Sequence, residues 1–124
     1  MTDTEHAASA GLSAVAHTRN GVRVIRLDGE IDHHTVPIVN QALRATADYS
    51  SRVVLDMSGV AFMDSSGINL LLAARRDLAK DGGSLRLAGT TTAVLRTVQL
   101  VGIDTVIECH DTLDQALAAP APRP

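Results

Sequence analysis

Residues 63–67 read MDSSG: an acid, two hydroxyls and a glycine, set between an apolar run that ends at Met63 and the strongly apolar INLLLAA. This is where a strand hands over to a helix. The first turn of a helix presents unpaired N–H groups and partial positive charge. Asp64 or Ser65 at that place accepts a hydrogen bond from those groups as a cap, and on spacing alone the cap is the default role. The same geometry suits a second chemistry. A phosphate on a serine here is stabilised by the free N–H groups and the dipole, and it adds about −1.5 to −2 charge without melting the helix. Beside Asp64 it makes one spot of the surface sharply anionic, so a partner fitted to the neutral hydroxyl is repelled.

Other constellations point elsewhere. His33 and His34 are adjacent, so their side chains are expected to diverge, and no cysteine or third well-spaced histidine joins them as a metal set. They read as a recognition loop; His6, His17 and His110 are scattered. A nucleophilic Ser65 needs a base and an oxyanion hole, and no G-x-S-x-G elbow is present. Asp56 follows a buried strand but lacks the acidic pair and lysine of an aspartyl phosphoacceptor, so it reads as a turn residue. Gly82-Gly83 has no phosphate-loop context and stops a helix. Arg75 and Arg76 read as a solvated helix face.

The elements that must position MDSSG follow from periodicity. Leu12–His17 and Val22–Leu27 are two strands, the second alternating apolar and basic, and Asn20-Gly21 between them predicts an antiparallel hairpin. GEIDHHT (29–35) is a loop or strand end. Thr35 and Pro37 open a first helix carrying Val36, Val39, Leu43 and Ala47. Val53–Leu55 is a strand buried on both faces, and Asp56–Gly59 turns the chain. A second helix starts at MDSSG with Gly67, Leu71, Ala74 and Leu78 on one face, and stops at Asp81-Gly82-Gly83. Ser84–Leu87 is a strand. Thr91 or Thr92 caps a third helix, on which Val94, Val98 and Val101 share a face. Thr105–Ile107 is a last strand, and Thr112–Gln115 is a capping box opening a short final helix. The order β-β-α-β-α-β-α-β-α predicts an α/β domain: a mixed sheet with an N-terminal antiparallel hairpin, parallel crossovers, and about four helices covering at least one face. Residues 1–11 read as a flexible tail, 12–118 as the domain, and 119–124 as a proline-rich tail.

The 124 residues suffice for one core, with 45% hydrophobic and 20% charged residues. Aromatics are 2% and the net charge is −3. That leaves neither a stacking platform nor a basic stripe for nucleic acid. Cys109 is the single cysteine, which fits a reducing compartment. No signal-peptide pattern and no apolar run near the roughly 18 residues of a membrane span is seen. The expected address is the cytoplasm.

With GEIDHHT upstream, the stretch VVLDMSGVAFMDSSG (53–67) resembles the STAS domain of bacterial anti-sigma-factor antagonists, from about Val15 to Leu117. The two motifs stand in the family's order and at a suitable separation. The resemblance implies a mixed sheet with packed helices, no enzymatic activity, and no cofactor or metal. It also implies a partner: an anti-sigma factor that is a serine kinase. The unmodified antagonist binds that kinase and frees the sigma factor, phosphorylation switches it off, and a PP2C-type phosphatase resets it. By the same resemblance the phosphoserine is Ser65, and Asp64, the preceding acid, and Ser66, the second hydroxyl, belong with Gly67 to the surrounding partner-contact surface. Gly67 is the glycine whose missing side chain lets a partner approach. Asp32, His33, His34 and Thr35 form the neighbouring kinase-facing loop. The family often continues SSG-Leu-Gly, whereas this chain has Ile68-Asn69, so Asn69 bears on which kinase fits. The alternative within the family is a scaffold or regulatory subunit of a stress-sensing or transport assembly.

Overall fold

Asn20 and Gly21 both take positive φ, 53° and 78°. That is the backbone of a two-residue hairpin turn. It joins β2 (Leu12–Arg19) antiparallel to β3 (Val22–Ile31), with Arg19 opposite Val22. The computed structural model describes residues 4–47 and 49–120.

From β3 onward strands and helices alternate: α1 (Val36–Thr46), β4 (Arg52–Met63), α2 (Ser65–Lys80), β5 (Ser84–Ala88), α3 (Thr92–Leu100), a 3-10 turn (Ile103–Thr105), β6 (Glu108–His110) and α4 (Leu113–Ala118). Strands β3 to β6 are parallel and lie side by side in chain order. Right-handed crossovers that all step in one direction put their helices on one face of the sheet. Accordingly Val39 of α1, Leu70 and Leu71 of α2 and Val98 of α3 share one aliphatic core with Ile25, Leu55 and Leu87. The last helix, α4, covers part of the opposite face, where Ala116 meets Val22, Val54 and Ala88. The expected mixed sheet and four helices are present.

The structure corrects the sequence reading in five places. Residues 5–9, expected within a flexible tail, form β1 (Glu5–Ser9), antiparallel to β2 at the sheet edge. Its alanines have too little hydrophobic amplitude to announce a strand, and pairing supplies the order. Residues 1–3 and 121–124 of the two expected tails lie outside the described residues. Asp56–Gly59 is not a turn: β4 runs through it as an irregular strand, with register shifts against β3. The Asp56 carboxylate accepts from Ser58 N at 3.1 Å and from Ser58 Oγ at 2.7 Å, so turn-type residues here make a bulge. Arg23 is fully buried rather than on a basic exposed face. Its guanidinium stacks 3.9 Å from the Tyr49 ring centroid and donates to Thr18 Oγ1 at 3.0 Å. Val101 follows the end of α3, leaves its phase, and is 56% exposed. The last strand is 108–110, because Gly102 at φ 78° starts a 3-10 turn through Thr105; Ile107 still fills the core.

One glycine position ties the first hairpin to the end of β3. Gly29 has φ 125°, and a Cβ on it would lie 2.0 Å from the Gly11 carbonyl oxygen. That carbonyl accepts the Glu30 N–H at 2.8 Å. Gly29→Ala is therefore expected to destabilise the fold by about 2–3 kcal/mol, read as a lower urea midpoint at unchanged m-value. A cost below a few tenths of a kcal/mol contradicts the close approach.

Candidate functional site

Parallel pairing places Ile31 opposite Met63, so β3 and β4 leave the sheet side by side. Loops at the carboxyl ends of parallel strands are where open α/β sheets hold their sites. The Asp64 N–H donates to the Ile31 carbonyl at 3.1 Å and locks the two exits together. Asp64 is extended (φ −103°, ψ −168°), and its carboxylate accepts from Ser66 N at 2.8 Å. The acid is therefore the cap of α2. Ser65 is the first helical residue, exposed, and its hydroxyl makes no hydrogen bond among the described residues. Of the two capping candidates in the sequence, the structure selects Asp64 and leaves Ser65 free.

The facing loop is held by its own acid. Asp32 Oδ1 accepts from His34 N at 2.9 Å and Thr35 N at 3.1 Å. The Asp32 carbonyl accepts from Val36 N at 2.9 Å, which starts α1. Desolvation pushes the Asp32 carboxyl up. The Thr35 and His34 N–H groups, with the His34 charge and the Thr35 hydroxyl, outweigh it and hold the group below the ordinary carboxylate value. Thr35 is 2% exposed. Its hydroxyl donates to the Glu30 carbonyl at 2.8 Å and accepts from Asp32 N at 2.9 Å, so it builds the loop from inside instead of facing a partner. Thr35 is the N-cap residue of α1, but its side chain makes no cap hydrogen bond.

His33 and His34 are exposed. Their rings converge, with centroids 3.9 Å apart and a tilt of 38°, against the expectation that neighbours diverge; the tight turn between β3 and α1 brings them together. Among the described residues no three His, Cys, Asp or Glu side chains are placed to hold a metal.

Gly67 is buried rather than open to a partner. A Cβ there would lie 2.3 Å from Met63 Cγ and 3.0 Å from Ile31 Cγ2, so its missing side chain lets α2 descend onto the strand ends. Asn69 is exposed one turn beyond Ser65. The stripe continues through Leu72 and Arg76, all exposed at helical spacing from Ser65. Leu72 is 42% exposed, and Phe62, just before Met63, is 49% exposed. The sequence reading passed over both. Leu72 was detectable because it lies off the Gly67–Leu71–Ala74–Leu78 face. Phe62 was hidden by the turn expected at Asp56–Gly59, which broke the strand's alternation.

The family described as STAS domain matches residues 13–116. An anti-sigma-F factor antagonist of Mycobacterium tuberculosis is 32% identical over 101 residues, covering 79% of this chain and 80% of that protein. The crystal structure of an anti-sigma factor antagonist from Mycobacterium paratuberculosis superposes with TM-score 0.79 at 33% identity, covering 90% of this chain and 95% of that one. The fold is also that of SpoIIAA. Its unphosphorylated form gives TM-score 0.68 at 24% identity, covering 92% of each chain. The phosphorylated form of this Bacillus protein gives 0.63 at 22%, covering 92% of this chain and 96% of that one.

Two outcomes test the local build. Asp64→Ala, which removes the α2 cap, is expected to cost about 1 kcal/mol in denaturant unfolding, while Ser65→Ala costs no more than a few tenths. Equal costs contradict the assignment of the cap. For Asp32, a carboxyl held low contributes stability that is fully present above its ordinary value and is lost as pH falls through the folded-state value. The stability gap between the wild type and Asp32→Ala is thus expected to be constant near neutrality and to close below about pH 4. A gap independent of pH in acid contradicts the loop's dependence on the charged form.

Proposed function

The chain belongs to the STAS domain family, and on that premise we propose that it is an anti-sigma-factor antagonist switched by phosphorylation of Ser65. The unphosphorylated form binds an anti-sigma-factor serine kinase and so releases the sigma factor. Phosphorylation by that kinase ends the binding, and a PP2C-type phosphatase restores it. The protein acts by binding and is not itself an enzyme. The observation that carries this reading is the division of labour at the start of α2. Asp64 does the capping, so the Ser65 hydroxyl stands exposed and uncommitted. Relatives named anti-sigma factor antagonists, and a protein of this fold known in unphosphorylated and phosphorylated forms, support the same reading.

The physics of the switch is local. A phosphate on Ser65 meets the partial positive end of α2, so the helix tolerates it. It stands next to the Asp64 carboxylate, and together they present close to three negative charges on one small area. A kinase surface fitted to the neutral hydroxyl then faces unpaired charge it must desolvate, a cost of several kcal/mol. Asp32, His33 and His34 supply the polar side of the contact surface. Asn69 and Leu72 extend it along α2, and Phe62 adds an aromatic anchor beside Met63. Ser66, half-buried behind the cap, orients the turn. Within the family the scaffold-subunit role stands as the alternative; no feature of this site favours it.

The experiment is a paired pull-down with Ser65→Ala and Ser65→Asp as baits, followed by titration of the recovered kinase. The Ala form is expected to bind regardless of ATP. The Asp form is expected to bind at least about tenfold more weakly, since a single carboxylate only partly copies a phosphate. Equal recovery of the same proteins by both baits removes the switch and turns attention to the scaffold role.

A further inference from the structure

Among the described residues the two most exposed large apolar side chains are consecutive and close α3: Leu100 at 81% and Val101 at 56%. Val94 and Val98 turn inward and fix which face of α3 meets the sheet. Leu100 lies two residues past Val98, about 200° around the helix, so it points to solvent. Gly102, at φ 78°, then starts the 3-10 turn. Ile103 and Ile107 enter the core, and Val106 is left 44% exposed. The Arg75 Nε donates to the Val106 carbonyl at 2.8 Å and ties this turn to α2. One exposed apolar residue is ordinary, but three at one helix end form a patch of the kind proteins use for contacts.

Charge frames the patch. Arg96 lies one helical turn before Leu100, and Asp104 lies in the 3-10 turn after it. Both are exposed, and neither side chain makes a hydrogen bond or ion pair among the described residues. An apolar centre with a cation on one side along the chain and an anion on the other is complementary to itself. A two-fold axis through the centre sets each Arg96 against the partner's Asp104. A foreign protein needs a matched surface of its own, whereas a second copy brings one already. We infer that a second copy of this chain docks here, Leu100 against the partner's Leu100, with Val101 and Val106 beside them and two Arg96–Asp104 ion pairs at the rim. So few side chains supply far less than the roughly 800 Å² per partner of a standard interface, so the dimer is weak, dissociating at roughly 0.1–1 mM. α3 runs back from the end of β5 to the start of β6, so its last turn lies at the opposite end of the strands from Ser65. The contact leaves Ser65 of both copies exposed. It is independent of the function proposed for Ser65, and its test does not involve the kinase.

The test is analytical ultracentrifugation of the full chain from about 10 µM to 1 mM, a range that brackets the expected dissociation constant. The average mass is expected to rise with concentration toward twice that of the monomer and no further. Leu100→Ser is expected to stay monomeric throughout. Arg96→Asp and Asp104→Arg each set like charges face to face across the axis, and each alone is expected to weaken association about fivefold or more. Mixed in equal amounts, these two variants are expected to associate again, because each carries the charge that the other lacks at both places. All three positions are exposed, so the variants keep the fold. A constant monomer mass up to the highest concentration assigns the patch to a different protein and overturns the self-contact. A mass that grows past the dimer, undiminished association of Leu100→Ser, or a mixture no tighter than its components would each overturn it too.

Discussion

The parallel pairing of β3 with β4 is the constraint on which the rest depends. It sets Ile31 opposite Met63, and the Asp64 N–H then closes onto the Ile31 carbonyl. Two loops far apart in the chain therefore emerge together. The pairing is not regular along its length: register shifts fall between Arg26 and Asp28 and again between Gly29 and Glu30. Each shift turns side chains on one strand relative to the other. Without them, Val60 and Met63 would not both return to the core after Met57, and MDSSG would leave the sheet with a different face inward. Gly59 makes the close passage possible, since a Cβ there would fall 1.9 Å from Asp28 Oδ1.

Around that pairing, two acids do the same job in two loops. Asp64 satisfies the Ser66 N–H and Asp32 satisfies those of His34 and Thr35. Carboxylates accepting backbone N–H groups at helix entries are favoured by both the hydrogen bond and the dipole. The consequence is a division between side chains that build the two loops and side chains that do not. The acids and the buried Thr35 hold the backbone, while Ser65, His33 and His34 are left exposed. Gly67 belongs with the holders: it brings the helix end onto Met63 and Ile31, fixing the height at which Ser65 stands above the sheet.

The opposite face of the sheet shows how little cover this fold needs. All three crossover helices lie on one side, and the short α4 protects the other only over Val22, Val54 and Ala88. Arg86 secures that helix: it is 4% exposed, its guanidinium donates to the Ala116 and Ala119 carbonyls, each at 3.1 Å, and also to the Pro120 carbonyl. The last carbonyls of a helix have no partner within it, and a buried guanidinium satisfies several at once. Glu108 stands 3.4 Å from the same guanidinium and balances its charge. A six-residue helix too short to be stable alone is thereby held by side chains of the sheet.

The order of helices and strands after Leu12, the Asn20-Gly21 hairpin, and the start of a helix at MDSSG were legible in the sequence. Each rests on short-range physics: positive φ at a two-residue turn, apolar period, and polar side chains that cap nearby N–H groups. The motif pair GEIDHHT and MDSSG also named the family. Tertiary structure alone decided the rest. Alanines of residues 5–9 became a strand only because β2 offered an edge. Asp-Met-Ser-Gly, a turn by composition, stayed in a strand because β3 pairs with both its ends, Asp56 and Gly59, and β5 pairs with Asp56. Arg23 went inside because Tyr49 and Thr18 meet its charge there. Which of Asp64 and Ser65 would cap α2 was likewise undecidable from spacing. Both have an oxygen at the helix start, and the choice was made by the Ile31 carbonyl, which holds Asp64 extended at the cap and leaves Ser65 within the first turn. Local signals reach a few residues along the chain, whereas burial and register are set by segments that meet only on folding.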